Sequence, residues 1–210
     1  MRPATALSAD GPLNLYQAVE VACSSVARGQ GVLVVMDGQI HGAREVTKVA
    51  TQGVGAFDSI GRGPRGWVDD VGVHLPPARS DRLVPFAGLQ LADPWPLVAI
   101  LHGCVEPPDA LIPALLKAGV QGLVFTGTGA GQLSTIERSA LEKWDGPMPL
   151  MLRANRCGSG PVHRCEEHAR LGLLPAGMLS AQKARVLLLL ALMDGLNREQ
   201  LAALIQVTIA

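Results

Sequence analysis

The sequence predicts an α/β protein in two parts, the second a parallel sheet with helices on both faces. Three observations predict it. Short apolar runs alternate with helical periodicity across residues 97–210, the pattern of strand–crossover–strand units. Five prolines, Pro76, Pro77, Pro85, Pro94 and Pro96, mark residues 76–96 as an extended linker. Ahead of them, the apolar run Gly31-Val32-Leu33-Val34-Val35-Met36 ends at Asp37-Gly38. That reads as a short buried strand closed by a tight turn, because glycine tolerates positive φ and aspartate can bond its own backbone.

Residues 1–11 have loop composition, and Asp10 or Gly11 can cap a helix with Pro12 in its first turn. Leu13, Tyr16, Val19 and Ala22 recur at helical spacing, so the helix is expected over 12–28, with Gly29 stopping it. The strand 32–36 follows. Gly66-Trp67-Val68 and Val71-Gly72-Val73, around Asp69-Asp70, suggest a hairpin in a glycine-rich region. In the second part, strands are expected at 98–101, 122–125, 149–152 and 173–174. Helices are expected at 111–118, 134–144, 181–193 and 198–206, with Ser180 and Asn197 as N-caps of the last two. There is no internal repeat and no low-complexity segment.

Composition narrows the partners. The chain has 210 residues, 48% hydrophobic, with 18 basic and 18 acidic side chains, so its formal net charge is zero. That balance does not suit nucleic acid or an anionic membrane. Aromatics are 3% of the chain, which predicts an aliphatic core and little material for stacking on bases. Cys23, Cys104, Cys157 and Cys165 are scattered and do not read as a disulfide framework. Cys23 and Cys104 lie in apolar segments and are expected to be reduced core residues. No apolar leader follows Met1-Arg2-Pro3. The longest apolar run, Val186 to Met193, is too short to span a bilayer.

A family resemblance rests on three stretches. VLVVMDGQIHGAREVTK, ending at Lys48, resembles the "VLVVxxxxIxxARxVTK" segment of bacterial L-asparaginases and glutaminase-asparaginases. MRPATALSADGPLNLYQAV resembles that family's "MRPxTxxSADGPxNLxxAV", and PAGMLSAQKARVLLLLAL its "ASGTLNPQKARxLLxLAL". The three occur in family order. The resemblance implies that residues 1–75 are the second half of an N-terminal catalytic α/β domain, 76–96 the linker and 97–210 the smaller C-terminal α/β domain. The activity it implies is hydrolysis of L-asparagine, with L-glutamine the second candidate, to the acid and ammonia. It implies no metal or organic cofactor, and an assembly of two or four copies. The compartment, cytoplasm or periplasm, stays open.

Lys48 is the first candidate catalytic residue. By resemblance it matches the lysine that works with a threonine and an aspartate in a proton relay. Burial at a sheet edge would lower its pKa and suit it to that work; the plain alternative is a solvated surface lysine. The family's threonine-glycine-glycine-threonine and threonine-aspartate-threonine motifs occur nowhere in these 210 residues. By resemblance both belong upstream of Met1. The chain therefore reads as lacking the family's N-terminal third, and as inactive alone.

Two further residues follow from the resemblance. Gly127-Thr128-Gly129-Ala130-Gly131-Gln132 is weak as a dinucleotide fingerprint, because its glycines are spaced GxGxG. In the family a similar loop carries an asparagine that reaches a neighbouring subunit's site, and Gln132 stands at that position. The family places a glutamate near residues 165–166; Cys165 takes the aligned position and Glu166 is the neighbouring candidate. Both are substrate-binding candidates. Cys157, His163, Cys165 and His168 form a C-x5-H-x-C-x2-H pattern that lacks the paired C-x2-C of strong zinc signatures; its plain reading is a polar loop, and no metal is assigned. Ser8 has no histidine at motif spacing, and His41 and His74 read as structural hydrogen-bonding residues.

Three rivals remain. An inactive remnant serving as a binding module is favoured by the absent motifs. An asparaginase-like amidotransferase subunit is disfavoured by the lack of basic clusters for transfer RNA. A two-lobed small-ligand binding protein is disfavoured by the Lys48 segment.

Overall fold

The computed structural model describes residues 1–78, 86, 88–91 and 93–209. Part of the expected linker, residues 79–85, 87 and 92, lies outside the described residues. The chain forms two compact units, Met1–Arg82 and Leu83–Ala210.

In the first unit, α1 (Gly11–Cys23) starts with proline in its first turn. Asp10 is its N-cap residue, but its side chain makes no cap bond. That carboxylate instead accepts the Arg2 amide at 2.7 Å and pairs with the N-terminal ammonium at 3.3 Å. β1 (Leu33–Met36) and β2 (Gln39–Gly42) form an antiparallel hairpin around Asp37 and Gly38, at φ 52° and 70°. Two positive φ values are what the short hairpin turn matching strand twist requires. The Asn14 and Gln17 side-chain oxygens of α1 accept the Asp37 and Gly38 amides, so the helix holds the turn. β3 (Thr47–Lys48) and β4 (Phe57–Asp58) make a separate two-stranded ribbon. β5 (Gly66–Asp69) and β6 (Gly72–His74) form the expected hairpin and complete a sheet ordered β1-β2-β5-β6. Its small core is Val21, Val35, Ile40 and Val68. Trp67 stacks on His74, ring centroids 5.0 Å apart.

Two expectations for this unit are corrected. The helix ends at Cys23, not Arg28: Ser24 turns extended, and Ser25–Ala27 form a 3-10 turn. The Ser24 amide bonds to the Val21 carbonyl and the Ala27 amide to the Ser24 carbonyl, three-residue bonds that close the helix end with backbone groups alone. The stripe that marked the helix, Leu13, Tyr16 and Val19, is exposed, while Val21 carries the buried face.

The second unit contains β7 (Val98–His102), α2 (Leu111–Lys117), β8 (Gly122–Gly127), α3 (Thr135–Glu142), β9 (Leu150–Asn155), α4 (Glu166–Arg170), β10 (Leu173–Pro175), α5 (Ala181–Met193) and α6 (Arg198–Ile209). The sheet is wholly parallel, ordered β10-β9-β8-β7. Every residue of β8 is buried, as a central parallel strand covered on both faces should be. Side chains alternate between faces. Val124 and Leu152 join Ala184, Leu188 and Leu201 on one side; Leu123, Phe125 and Met151 join Ile112, Leu116 and Leu141 on the other. Burying a leucine such as Leu188, 0% exposed, contributes about 1.5–3 kcal/mol.

The helix starts follow local chemistry. Ser134 and Glu137 form a capping box, each side chain accepting the other's backbone amide. Ser180 accepts the Lys183 amide, and Asn197 that of Gln200. Trp144 donates its indole N–H to the Pro147 carbonyl. Cys23 and Cys104 are exposed rather than in the core. Apolar neighbours in sequence do not fix which face a side chain takes, and these two fall on the outer one. All four cysteines are free. No described helix is long and apolar enough to cross a membrane.

Candidate functional site

Lys48 is delivered by a second turn. After β2, the amides of Glu45 and Val46 both donate to the Gly42 carbonyl at 3.0 Å, and Arg65 pairs with Glu45 at 3.2 Å. The chain then enters β3, where Lys48 stands opposite Phe57 and Thr47 opposite Asp58. Directly opposed residues share a face and successive residues do not. Thr47 and Asp58 therefore face one way and Lys48 the other. Lys48 is exposed, which corrects the expected burial: a two-residue ribbon strand gives no second layer to cover it. Its ammonium has no threonine hydroxyl on its own face of the ribbon.

His41, 0% exposed, lies behind this segment with Nδ1 2.9 Å from the Ser59 hydroxyl. Burial lowers its pKa, and the nearby Asp58 carboxylate opposes that shift. The unfolded chain therefore takes up a proton more readily than the folded one. Stability is complete above about pH 6.5 and falls as the pH drops below it. His168, also buried and lowered by burial and by Arg153 and Arg138, acts in the same direction in the second unit. Urea unfolding followed by Trp67 emission should show the first unit weakening from pH 7.5 to 5.0, and His41→Gln should flatten that dependence. An unchanged slope in the variant would exclude His41 as the source.

In the second unit, the glycine-rich loop leaves β8 as a tight hairpin. Thr128 and Gln132 exchange backbone bonds at 3.0 and 2.8 Å. The Gln132 side chain is exposed. Glu166 opens α4, exposed, with Arg164 at 2.9 Å holding its carboxyl below the usual range. Arg153 ties these two segments together. It is 1% exposed in the middle of β9. It donates to the Ala130 and Gly131 carbonyls of the loop and to the His163 carbonyl, three residues before Glu166. Sequence reasoning missed Arg153. The signal was there: a single arginine inside an apolar strand has to be satisfied internally.

The C-x5-H-x-C-x2-H residues, to which no metal is assigned, do not gather into one cluster of four among the described residues. Cys165, Glu167 and His168 place ligand atoms within 4.8 Å of one another, while Cys157 and His163 stand apart from that cluster. At the end of β7, a cleft of about 40 Å³ is lined by His102, Cys104, Asp109 and Glu137.

Comparison with known proteins defines the class. Residues 1–79 match the family model "Asparaginase, N-terminal", and residues 97–205 match "Glutaminase/Asparaginase C-terminal domain". The chain belongs to the glutaminase/asparaginase family. It is 39% identical to "Probable L-asparaginase periplasmic" of Haemophilus influenzae, over 91% of this chain and 56% of that protein. It is 38% identical to "L-asparaginase 2" of Bacillus subtilis, over 91% of this chain and 52% of that one. It is 36% identical to "Glutaminase-asparaginase" of Pseudomonas fluorescens biotype A, over 91% and 54%. The chain thus spans about half the length of the curated relatives it matches.

Proposed function

We propose that this chain forms part of an L-asparaginase-type amidohydrolase, releasing ammonia from L-asparagine and, as second substrate, from L-glutamine. We propose residues 1–75 as its share of the catalytic domain, 76–96 as linker and 97–210 as the C-terminal domain. The observation that carries the reading is the ARxVTK segment ending at Lys48, within residues that match an asparaginase domain model. In this reading Lys48 relays the proton of a threonine nucleophile. Gln132 and Glu166, on segments pinned by Arg153, meet the substrate in a neighbouring copy, so the working form is at least a dimer.

The 210 residues alone hold neither threonine motif. General acid–base help contributes about 10²–10⁴-fold, and without an oriented hydroxyl there is no acyl-enzyme to divide the amide step. A coupled ammonia assay should therefore find no turnover above background with this chain alone. A chimera adding the portion of the Haemophilus influenzae relative that this chain does not cover should turn over L-asparagine. Turnover by the chain alone would overturn the claim of a missing nucleophile. A folded, assembled but inactive chimera would favour the second reading, a non-catalytic binding module, to which the absent motifs also point.

A further inference from the structure

Successive residues of a strand point to opposite faces of its sheet. Ile40 joins Val21 of α1 in the small core on one face, so His41 points to the other, where it is 0% exposed. Its Nδ1 stands 2.9 Å from the Ser59 hydroxyl, and its Nε2 has no partner among the described residues. Nδ1 is therefore the ring's polar tie to the rest of the unit. Ser59 follows β4 directly, is 1% exposed, and has every polar group in use. Its hydroxyl meets His41, and its amide donates to the Asp58 carboxylate at 2.6 Å. Its carbonyl accepts the amides of Arg62 and Gly63 at 3.1 and 2.7 Å. On the other strand, the turn into β3 closes on the carbonyl of Gly42, the residue after His41. Both strands of the Lys48 ribbon are thus tied to the last two residues of β2. The ribbon is a two-stranded sheet of its own, and such a pair is marginally stable without support.

We propose that His41 and Ser59 are positioning residues for Lys48: their buried hydrogen bond holds the β3–β4 ribbon, and the lysine on it, at a fixed place on the sheet. The proposal rests on the reading of Lys48 as the proton relay. Both residues are too buried to meet a substrate, so any effect they have on turnover passes through the ribbon. A relay works only within hydrogen-bond reach of its partner, and a displacement of about 1 Å can cost about 10²-fold. The substrate-binding candidates Gln132 and Glu166 belong to the other unit. Loosening the ribbon therefore lowers kcat and leaves KM in place.

The test compares Ser59→Ala, His41→Leu and His41→Asn. In the 210-residue chain, amide exchange is followed by NMR at two positions. The Val49 amide bonds the Ala56 carbonyl across the ribbon at 2.9 Å, and the Val68 amide bonds the Gly38 carbonyl, at the other end of β2, at 2.8 Å. Ser59→Ala and His41→Leu should speed exchange at Val49 about tenfold and leave Val68 unchanged, because local opening is separate from global unfolding. His41→Asn puts an amide nitrogen where Nδ1 stands and should restore the slow rate at Val49. In the active chimera, Ser59→Ala should lower kcat by between about tenfold and 10²-fold with KM unchanged, and His41→Asn should keep most of the rate. If His41→Leu does not fold, Ser59→Ala and His41→Asn decide. Equal acceleration at Val49 and Val68 would show that the bond serves the whole unit and would overturn the proposal. Unchanged exchange at Val49 would do the same, as would an unchanged kcat for Ser59→Ala in a chimera that Lys48→Met inactivates. Turnover that survives Lys48→Met would instead overturn the reading of Lys48, and the proposal with it, whatever the exchange rates.

Discussion

Lys48→Met is expected to remove about 10²–10⁴-fold of the asparagine turnover of the active chimera, with little change in its melting temperature. The two halves of that result have separate physical causes. The lysine stands exposed on a two-residue strand, where a substitution shifts stability by about 0.5 kcal/mol or less. Methionine keeps the stem and its packing and removes the ammonium. If Lys48 relays the nucleophile's proton, the loss falls on kcat and not on substrate binding. Full turnover by Lys48→Met would refute the assignment, and a large fall in melting temperature would make the loss uninformative. The measurement is steady-state ammonia release alongside a thermal melt of the same preparation.

Gly127→Ala is expected to destabilise the second unit by about 3 kcal/mol, at the upper end of what overpacking usually costs. Gly127 ends β8, and the loop folds straight back over it. An added Cβ would lie 2.6 Å from the Gln132 nitrogen and closer still to Gly131 and to the Gln132 carbonyl. These are backbone atoms and cannot swing aside. The hairpin must open, which strains the bonds between Thr128 and Gln132 and those from Arg153 to Ala130 and Gly131. Gly129→Ala is the control. Its φ is +51° but nothing lies within 4 Å of the added carbon, so only the left-handed backbone term of about 1 kcal/mol applies. Thermal unfolding should rank wild type above Gly129→Ala and Gly129→Ala well above Gly127→Ala. Equal melting temperatures for the two variants would mean that the loop is not packed on Gly127 as described.

How much of this was legible in the sequence depended on how many residues shared a pattern. β8 and α5 were legible because a fully buried strand and a long capped helix each leave an uninterrupted apolar signal. α4 was not, because five residues give too little periodicity to read. β2 was missed because Gln39 and His41 make it look polar, although His41 is fully buried. Exposure was harder still. The Leu13, Tyr16 and Val19 stripe is apolar and yet faces outward, and Lys48 lost its expected cover. Composition says what a residue prefers; what lies against it is decided by elements far away in the chain. Arg153 shows the converse. A charged residue in an apolar strand was passed over, though it anchors both segments that carry Gln132 and Glu166.

The scarcity of aromatics gives the molecule a pair of built-in optical reporters. Trp67 belongs to the first unit, its indole stacked on an imidazole. Trp144 belongs to the second, half-buried with its N–H bonded to a carbonyl. The third indole, Trp95, is exposed and can be replaced by phenylalanine to clear the background. Loss of the imidazole contact changes the quenching of Trp67, while wetting of Trp144 shifts its emission to the red. A single fluorescence titration can thus resolve which unit opens first.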